Sequence, residues 1–227
     1  MKIVIVYYVY INPKKKWYQL VTSQLNQLKA TQILDEAELL VQICGPANLI
    51  PLCEQVIKIA SPSAMIRSTT ENLFEFHAID LIWNRARMES EALFLYFHTK
   101  GMSHEGERRD FAERVLFQEV VEPWKSIRNV FESRSEITRA GYIPSQIGYI
   151  WFNFWWARGS YLCKCAKPEL SDNRWYYEGW LATNSDNTNP SQLSNCYSLR
   201  DGRTGIGYTG EEAIQIMNQA VLLNQFP

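Results

Sequence analysis

The first strand-to-helix turn, Tyr10-Ile11-Asn12-Pro13, holds no glycine, and no GxxxxGK[ST] segment occurs anywhere in the chain. Phosphate cradles of the P-loop and dinucleotide-binding kinds need Cβ-free backbone at fixed spacing, so neither NTPase nor Rossmann dehydrogenase chemistry is supported. Long apolar runs are missing as well. The longest, Ile3 to Ile11, falls far short of the roughly 20 residues that span a bilayer, and no small-residue cleavage site follows it. Neither a transmembrane segment nor a signal peptide is expected, which predicts a cytoplasmic protein. An excess of one charge is also absent: 23 Lys+Arg stand against 24 Asp+Glu, for a net charge of -1, which argues against nucleic acid as a partner. The five cysteines are an odd number, and only Cys163 and Cys165 lie close together. Their one-residue spacing is not the paired pattern of a zinc site, so they read as reduced thiols.

What the sequence does contain is an ordinary globular balance, 46% hydrophobic and 21% charged residues in 227, enough to bury a sizeable core. Aromatic residues are 13% of the chain, with 8 Trp and 12 Tyr. Such rings fill cores, but their flat faces and polar tips also suit bases and sugar rings. The run Ile3 to Tyr10 is continuously β-branched and aromatic, as expected for a strand covered on both faces in a parallel sheet. Helical spacing of Trp17, Leu20, Val21, Leu25 and Leu28 predicts a helix ending near Ala30. The alternation continues with a strand over Leu39 to Cys44, a helix through Ile59, a short strand at Ala64-Met65-Ile66, and a helix capped by Thr70 that carries Leu73, Phe76, Ile79 and Trp83. A buried strand over Ala92 to Phe97 follows. Four strands separated by three helices predict an α/β fold with a doubly wound, mostly parallel central sheet flanked by helices, whose ligands sit beyond the carboxyl ends of the strands.

After Gly101 the texture changes. Arg108 to Arg134 reads as helical with Pro123 as a joint, Asn173 to Thr183 as a short helix, and Cys196 to Leu199 as a strand. A final helix over Gly210 to Leu223 opens with the capping box Thr209…Glu212. No repeat or linker divides the chain. We expect one domain over residues 1–227, with a nucleotide-binding half over about 1–101 and an acceptor-binding half over about 102–227.

Four clusters have the composition of a site. His98-Thr99-Lys100-Gly101 places a cation, a hydroxyl and a glycine at the end of a central strand, which suits an anion. Trp151 to Arg158 packs Trp151, Phe152, Asn153, Phe154, Trp155 and Trp156 into a short stretch. Asp172 to Trp180 sets Glu178 among Trp175, Tyr176, Tyr177 and Trp180, surroundings suited to a general base in a dry cleft. The glycine-rich Gly202 to Gly207 lies beside Arg200 and Arg203 and reads chiefly as a loop. Lys14-Lys15-Lys16 reads as a solvated helix start, with attraction to an anionic inner membrane surface as the alternative.

Together, five stretches resemble nucleotide-diphospho-sugar glycosyltransferases of the GT-A type, in particular a bacterial and viral family acting on surface glycans. They are Ile5 to Tyr10, Glu71-Asn72-Leu73-Phe74-Glu75-Phe76, Tyr96-Phe97-His98-Thr99-Lys100-Gly101, Asn153-Phe154-Trp155-Trp156-Ala157 and Tyr177-Glu178-Gly179-Trp180. The resemblance implies transfer of a sugar from a nucleotide-sugar donor, with UDP-sugar first in line, to a glycan or other hydroxyl acceptor. It puts Tyr8, Tyr10, His98, Thr99 and Lys100 at the nucleotide and Asn153, Trp155, Trp156 and Trp180 at the sugar or acceptor. Such enzymes usually carry an Asp-x-Asp motif for Mn or Mg, and this sequence has none. Lys100, with His98, would then meet the leaving diphosphate. The favoured chemistry is inverting, with Glu178 as base and Asp172 as runner-up, although a retaining outcome stays compatible with the sequence. Two other readings remain: a carbohydrate-binding protein on a glycosyltransferase fold without catalysis, and a sugar nucleotidyltransferase.

Overall fold

The structure, a computed structural model, describes residues 1–99, 108–173, 175–184 and 190–223. Its first part alternates strand and helix: β1 (Ile3–Tyr10), α1 (Trp17–Ala30), β2 (Ala37–Cys44), α2 (Ile50–Ala60), β3 (Met65–Thr69), α3 (Phe76–Met88) and β4 (Leu93–His98). Then come α4 (Arg108–Leu116), a π-helical turn at Phe117–Val121, α5 (Trp124–Ser133), β5 (Arg139–Gly141), β6 (Trp155–Arg158), α6 (Gly159–Leu162), α7 (Trp175–Gly179), β7 (Cys196–Ser198), β8 (Arg203–Thr204) and α8 (Gly210–Leu223). All eight strands join one sheet in the order β3-β2-β1-β4-β6-β5-β7-β8. The fold is therefore α/β, with a mostly parallel mixed sheet between helices, as the alternation predicts.

β1 shows why the sheet is covered twice. Side chains alternate along a strand, so Ile3, Ile5, Tyr7 and Val9 enter one core, with α1, α2, α4, α5 and α8. Val4, Val6 and Tyr8 enter the other, with α3, α6 and α7. Pairing with β2 and β4 on either side is parallel, placing Tyr10 opposite Cys44 and Tyr8 opposite His98.

Beyond β4 the sheet becomes mixed. β6 runs antiparallel to both β4 and β5, β7 is parallel to β5, and β8 closes a hairpin on β7 through Gly202 at φ +67°. Sequence periodicity leaves β8 unseen because the strand is only two residues long. Here buried polar contacts join the apolar ones. Arg139 is fully buried, donates from Nε to Gly148 O at 2.6 Å, and lies 4.7 Å over the Tyr161 ring. Gly148, at φ +94°, makes room for it: a Cβ there would meet Arg139 Nη2 at 2.3 Å.

Two expectations need correction. The helix predicted from Thr70 begins at Phe76. Thr69 Oγ1 accepts from Glu71 N–H at 3.1 Å and Asn72 Oδ1 from Phe74 N–H at 3.2 Å, so short polar side chains hold 69–74 in turns that compete with the helix. The Asn173 to Thr183 helix divides into α7 and a 3-10 turn at Trp180–Ala182, with Asn173 Oδ1 accepting from Trp175 N–H at 3.0 Å ahead of α7. Within 108–134, the π-helical turn precedes the joint at Pro123, and Val120 O accepts from the Trp156 indole at 2.7 Å. The capping box is present as read: Thr209 N–H donates to Glu212 Oε2 at 2.8 Å and Glu212 N–H to Thr209 Oγ1 at 3.2 Å.

Candidate functional site

The pairing directions bring the carboxyl ends of β1, β4, β5 and β7 to one edge of the sheet, where β6 begins. The chain leaves β1 for β2 on one side and returns to β4 on the other, so β1 and β4 flank a topological switch point. In open α/β sheets a crevice for ligands forms at such a place. Residues scattered along the sequence meet there.

Thr99 fastens the two strand ends. Its N–H donates to Tyr8 O at 3.0 Å, and its hydroxyl accepts from Tyr10 N–H at 2.9 Å while lying 3.3 Å from Tyr10 O. A side chain occupied in this way, and 4% exposed, shapes the crevice rather than reaching into it. His98, 9% exposed, has Nε2 at 3.3 Å from Phe152 O; a carbonyl only accepts, so this nitrogen carries the proton in that contact. Its ring stacks on Tyr96 at 6.2 Å and leans on Phe154 at 5.3 Å. Lys100 and Gly101, the rest of that turn, lie outside the described residues.

Opposite β4, Phe152 and Asn153 both adopt left-handed backbone, at φ +69° and +58°. Asparagine tolerates this conformation, but phenylalanine there stores strain of about 1–3 kcal/mol. The surroundings hold it in place. Asn153 Oδ1 accepts from the Trp155 indole at 2.8 Å, and its Nδ2 donates to Glu75 Oε2. The same Glu75 oxygen accepts from Tyr96 O–H at 2.6 Å. Glu75 precedes the first turn of α3 but makes no side-chain cap; its carboxylate turns to Tyr96 and Asn153 instead.

Burial, Glu75, Tyr8 and Glu178 together push the Tyr96 phenol well above its ordinary value. Burial, with Cys44 and Glu75 nearby, does the same for Tyr8. Both phenols therefore remain hydrogen-bond donors at neutral pH. The Tyr8 ring is 4% exposed, so it offers no open face to a base, and its buried hydroxyl lies beside the Cys44 thiol. That thiol donates to Glu71 O at 3.4 Å. Tyr10, on the same face two residues further along, is half-buried at the mouth.

Glu178, half-buried on α7, reaches the cluster electrostatically: its charge acts on Tyr96 and, together with burial as the larger cause, pushes Tyr149 up to about 12. Asp172 is exposed on the loop before α7, and its charge acts on Tyr177. The expected sugar-lining tryptophans are placed differently. Trp155, Trp156 and Trp180 are all fully buried, and the last two spend their indole N–H groups on Val120 O at 2.7 Å and Ala166 O at 2.9 Å. Trp155 and Trp156 enter opposite cores because adjacent β6 residues face opposite sides of the sheet, and Trp180, on its 3-10 turn, joins the core that holds Trp155. Half-exposed aromatic surface near the edge comes from Tyr149, Trp151 and Phe152.

Glu75 is the functional candidate that reading the sequence missed. The available signal was a carboxylate just ahead of an amphipathic helix, after the third strand. No group of three or more His, Cys, Asp or Glu that could hold a metal ion occurs among the described residues. None of the described helices is long and apolar enough to cross a membrane.

No protein-family model matches the chain, and no curated protein sequence does. Among solved structures the chain is similar to a cytidylyltransferase from Leptospira borgpetersenii serovar Hardjo-bovis, with a TM-score of 0.44 and 8% identity over 71% of this chain. The match spans 62% of that structure's length, less than two thirds of it.

Proposed function

We propose that the protein is a glycosyltransferase that moves a sugar from a nucleotide-diphosphate sugar, UDP-sugar first, to an acceptor hydroxyl of a glycan. The observation that carries this reading is the convergence of Tyr8, Tyr10, His98, Glu75, Asn153 and Glu178 around the switch point of the sheet. Ligands of open α/β sheets bind at such a switch point. Tyr10 at the mouth faces the nucleotide, and Lys100, next in sequence to Thr99, meets the diphosphate. The nucleotide half of the chain and the acceptor half share this one edge.

In the reaction, Glu178 accepts the proton of the acceptor hydroxyl. The acceptor oxygen forms a bond to the anomeric carbon from the face opposite the leaving group. The bond from that carbon to the diphosphate oxygen breaks, and the nucleoside diphosphate departs with the electron pair. Inversion follows from this single displacement. Asp172, exposed and acting on Tyr177, is less suited to the role of base.

The test is a thermal-shift panel of nucleoside diphosphates and nucleotide sugars, each with and without manganese, followed by turnover assays. A ligand at about 100 times its Kd adds about 2.7 kcal/mol and raises Tm accordingly. The expected result is a shift with one nucleotide class, donor turnover in the wild type, and retained binding without turnover in Glu178→Gln. Full activity of that variant removes Glu178 as base. A shift with glycans alone would favour non-catalytic carbohydrate binding, and turnover of a nucleoside triphosphate with a sugar phosphate would favour a nucleotidyltransferase.

A further inference from the structure

The chain has 24 Asp and Glu residues, yet none occurs from Met1 to Leu34. That stretch holds Lys2, Lys14, Lys15, Lys16 and Lys29, so a protein of net charge -1 gathers cations over β1, the turn after it and α1. Lys2, just before β1, is paired with Glu38 and Glu89. Beyond the other end of that strand, the Lys14, Lys15 and Lys16 ammonium groups form no ion pair with a described residue. Local bonds hold the three together: Asn12 Oδ1 accepts from Lys14 N–H at 3.0 Å, Asn12 O accepts from Lys15 N–H at 3.0 Å, and Lys16 leads into α1. Lys14 and Lys16 are exposed, and Tyr18 in the first turn of α1 is 55% exposed. Gln19, Ser23, Asn26 and Lys29 continue the exposed surface along the helix without a carboxylate.

Charge of this kind limits the partner. Exposed ammonium groups on flexible stems suit a diffuse anionic field, whereas a single diphosphate is held better by donors fixed in a concave site. The acid-free surface also runs the length of α1, whose 14 residues span about 21 Å, far more than one small anion covers. A tyrosine with an apolar body and a polar tip, beside such cations, is the residue type that sits where protein meets lipid headgroups. We propose that Lys14, Lys15, Lys16 and Tyr18 form a docking surface for an anionic phospholipid bilayer. Because the turn follows β1 at the carboxyl edge of the sheet, docking brings the switch-point crevice next to the headgroups. The assignment does not depend on the donor reading above.

The test is co-sedimentation of the full chain with phosphatidylcholine vesicles made with and without phosphatidylserine. Wild type is expected to sediment only with the phosphatidylserine vesicles, and to be released as added salt shortens the screening length. Near such a surface three lysines together are worth about a hundredfold in partitioning. Lys14→Gln, Lys15→Gln and Lys16→Gln combined should therefore weaken vesicle binding by about tenfold or more, with Tm and nucleotide affinity unchanged. Tyr18→Ser should weaken it by a smaller factor. Lys125→Gln with Lys167→Gln, two exposed lysines elsewhere, should bind as wild type does. Three results overturn the docking surface: no sedimentation of the wild type with either vesicle, wild-type binding by the triple variant, or an equal loss in the Lys125 and Lys167 control, which would mean that net charge alone decides. Loss of nucleotide affinity in the triple variant, with no vesicle binding by the wild type, also overturns it and assigns the lysines to the donor phosphates. A wild type that docks on the vesicles but binds no nucleotide overturns the donor reading and leaves this one standing.

Discussion

The two sides of the sheet are built by different rules. From β3 to β4, long parallel strands alternate with amphipathic helices, and every residue of β4 is buried. From β6 to β8 the strands have four residues or fewer, directions mix, and buried polar groups such as Arg139 and Asn153 share the work with indoles. The first side follows from the hydrophobic effect acting on a period-two pattern, which is non-directional and tolerant. The second depends on particular donors meeting particular carbonyls, which is directional and intolerant.

Substitutions can break this contrast. Trp155→Ala removes a fully buried indole together with its bond to Asn153, and should cost about 3–5 kcal/mol in urea unfolding. Ile5→Val in β1, also fully buried, should cost only about 0.5–1.5 kcal/mol. Similar losses for the two would erase the distinction. Gly148→Ala forces a Cβ against Arg139 at a positive φ and should destabilise by about 1–3 kcal/mol, with Arg139 losing its place over Tyr161. A neutral result would show that Arg139 can move freely.

Smaller effects sharpen the same comparison. Thr209→Ala removes the capping box of α8 and should lower stability by about 1 kcal/mol, seen as an earlier denaturant midpoint with the same slope. The smallest effect is expected for the surface cluster of Lys2, Glu38, Arg85 and Glu89 at the opposite edge of the sheet. Burial works against ionisation of Glu89, but hydrogen bonds and charge from Lys2 and Arg85 prevail and hold its carboxyl below the ordinary 4.5. A depressed folded value means the contribution is complete above that ordinary value and is lost as pH falls through the folded one. Glu89→Gln should therefore flatten the acid limb of Tm against pH only slightly, and less so in high salt.

Much of the parallel side was legible in the sequence. The bounds of β1 and α1 follow from an unbroken β-branched run and a helical spacing, because burial on two faces or one stripe leaves that mark on the residue order. The Thr209…Glu212 cap was legible for a similar reason, its partners lying three residues apart. The start of α3 was not, since Thr69 and Asn72 turn the chain by local bonds whose outcome competes closely with a helix.

Of the site, the sequence singled out Tyr8, His98, Asn153 and Glu178, residue types apt for the chemistry in segments that end near a strand. It also singled out Trp155, Trp156 and Trp180, whose rings the fold buries completely. Composition measures how much aromatic surface a chain carries but not which face of it is left to solvent. By itself the sequence determined an α/β chain with a covered first strand, a closing capped helix and no phosphate loop of the usual kinds. Only the tertiary structure decided that Glu75 turns from its helix to Tyr96 and Asn153, and that the Tyr8 hydroxyl is buried beside the Cys44 thiol. Local patterns record the burial of each element, whereas a site at a switch point depends on where strands distant in sequence end beside one another.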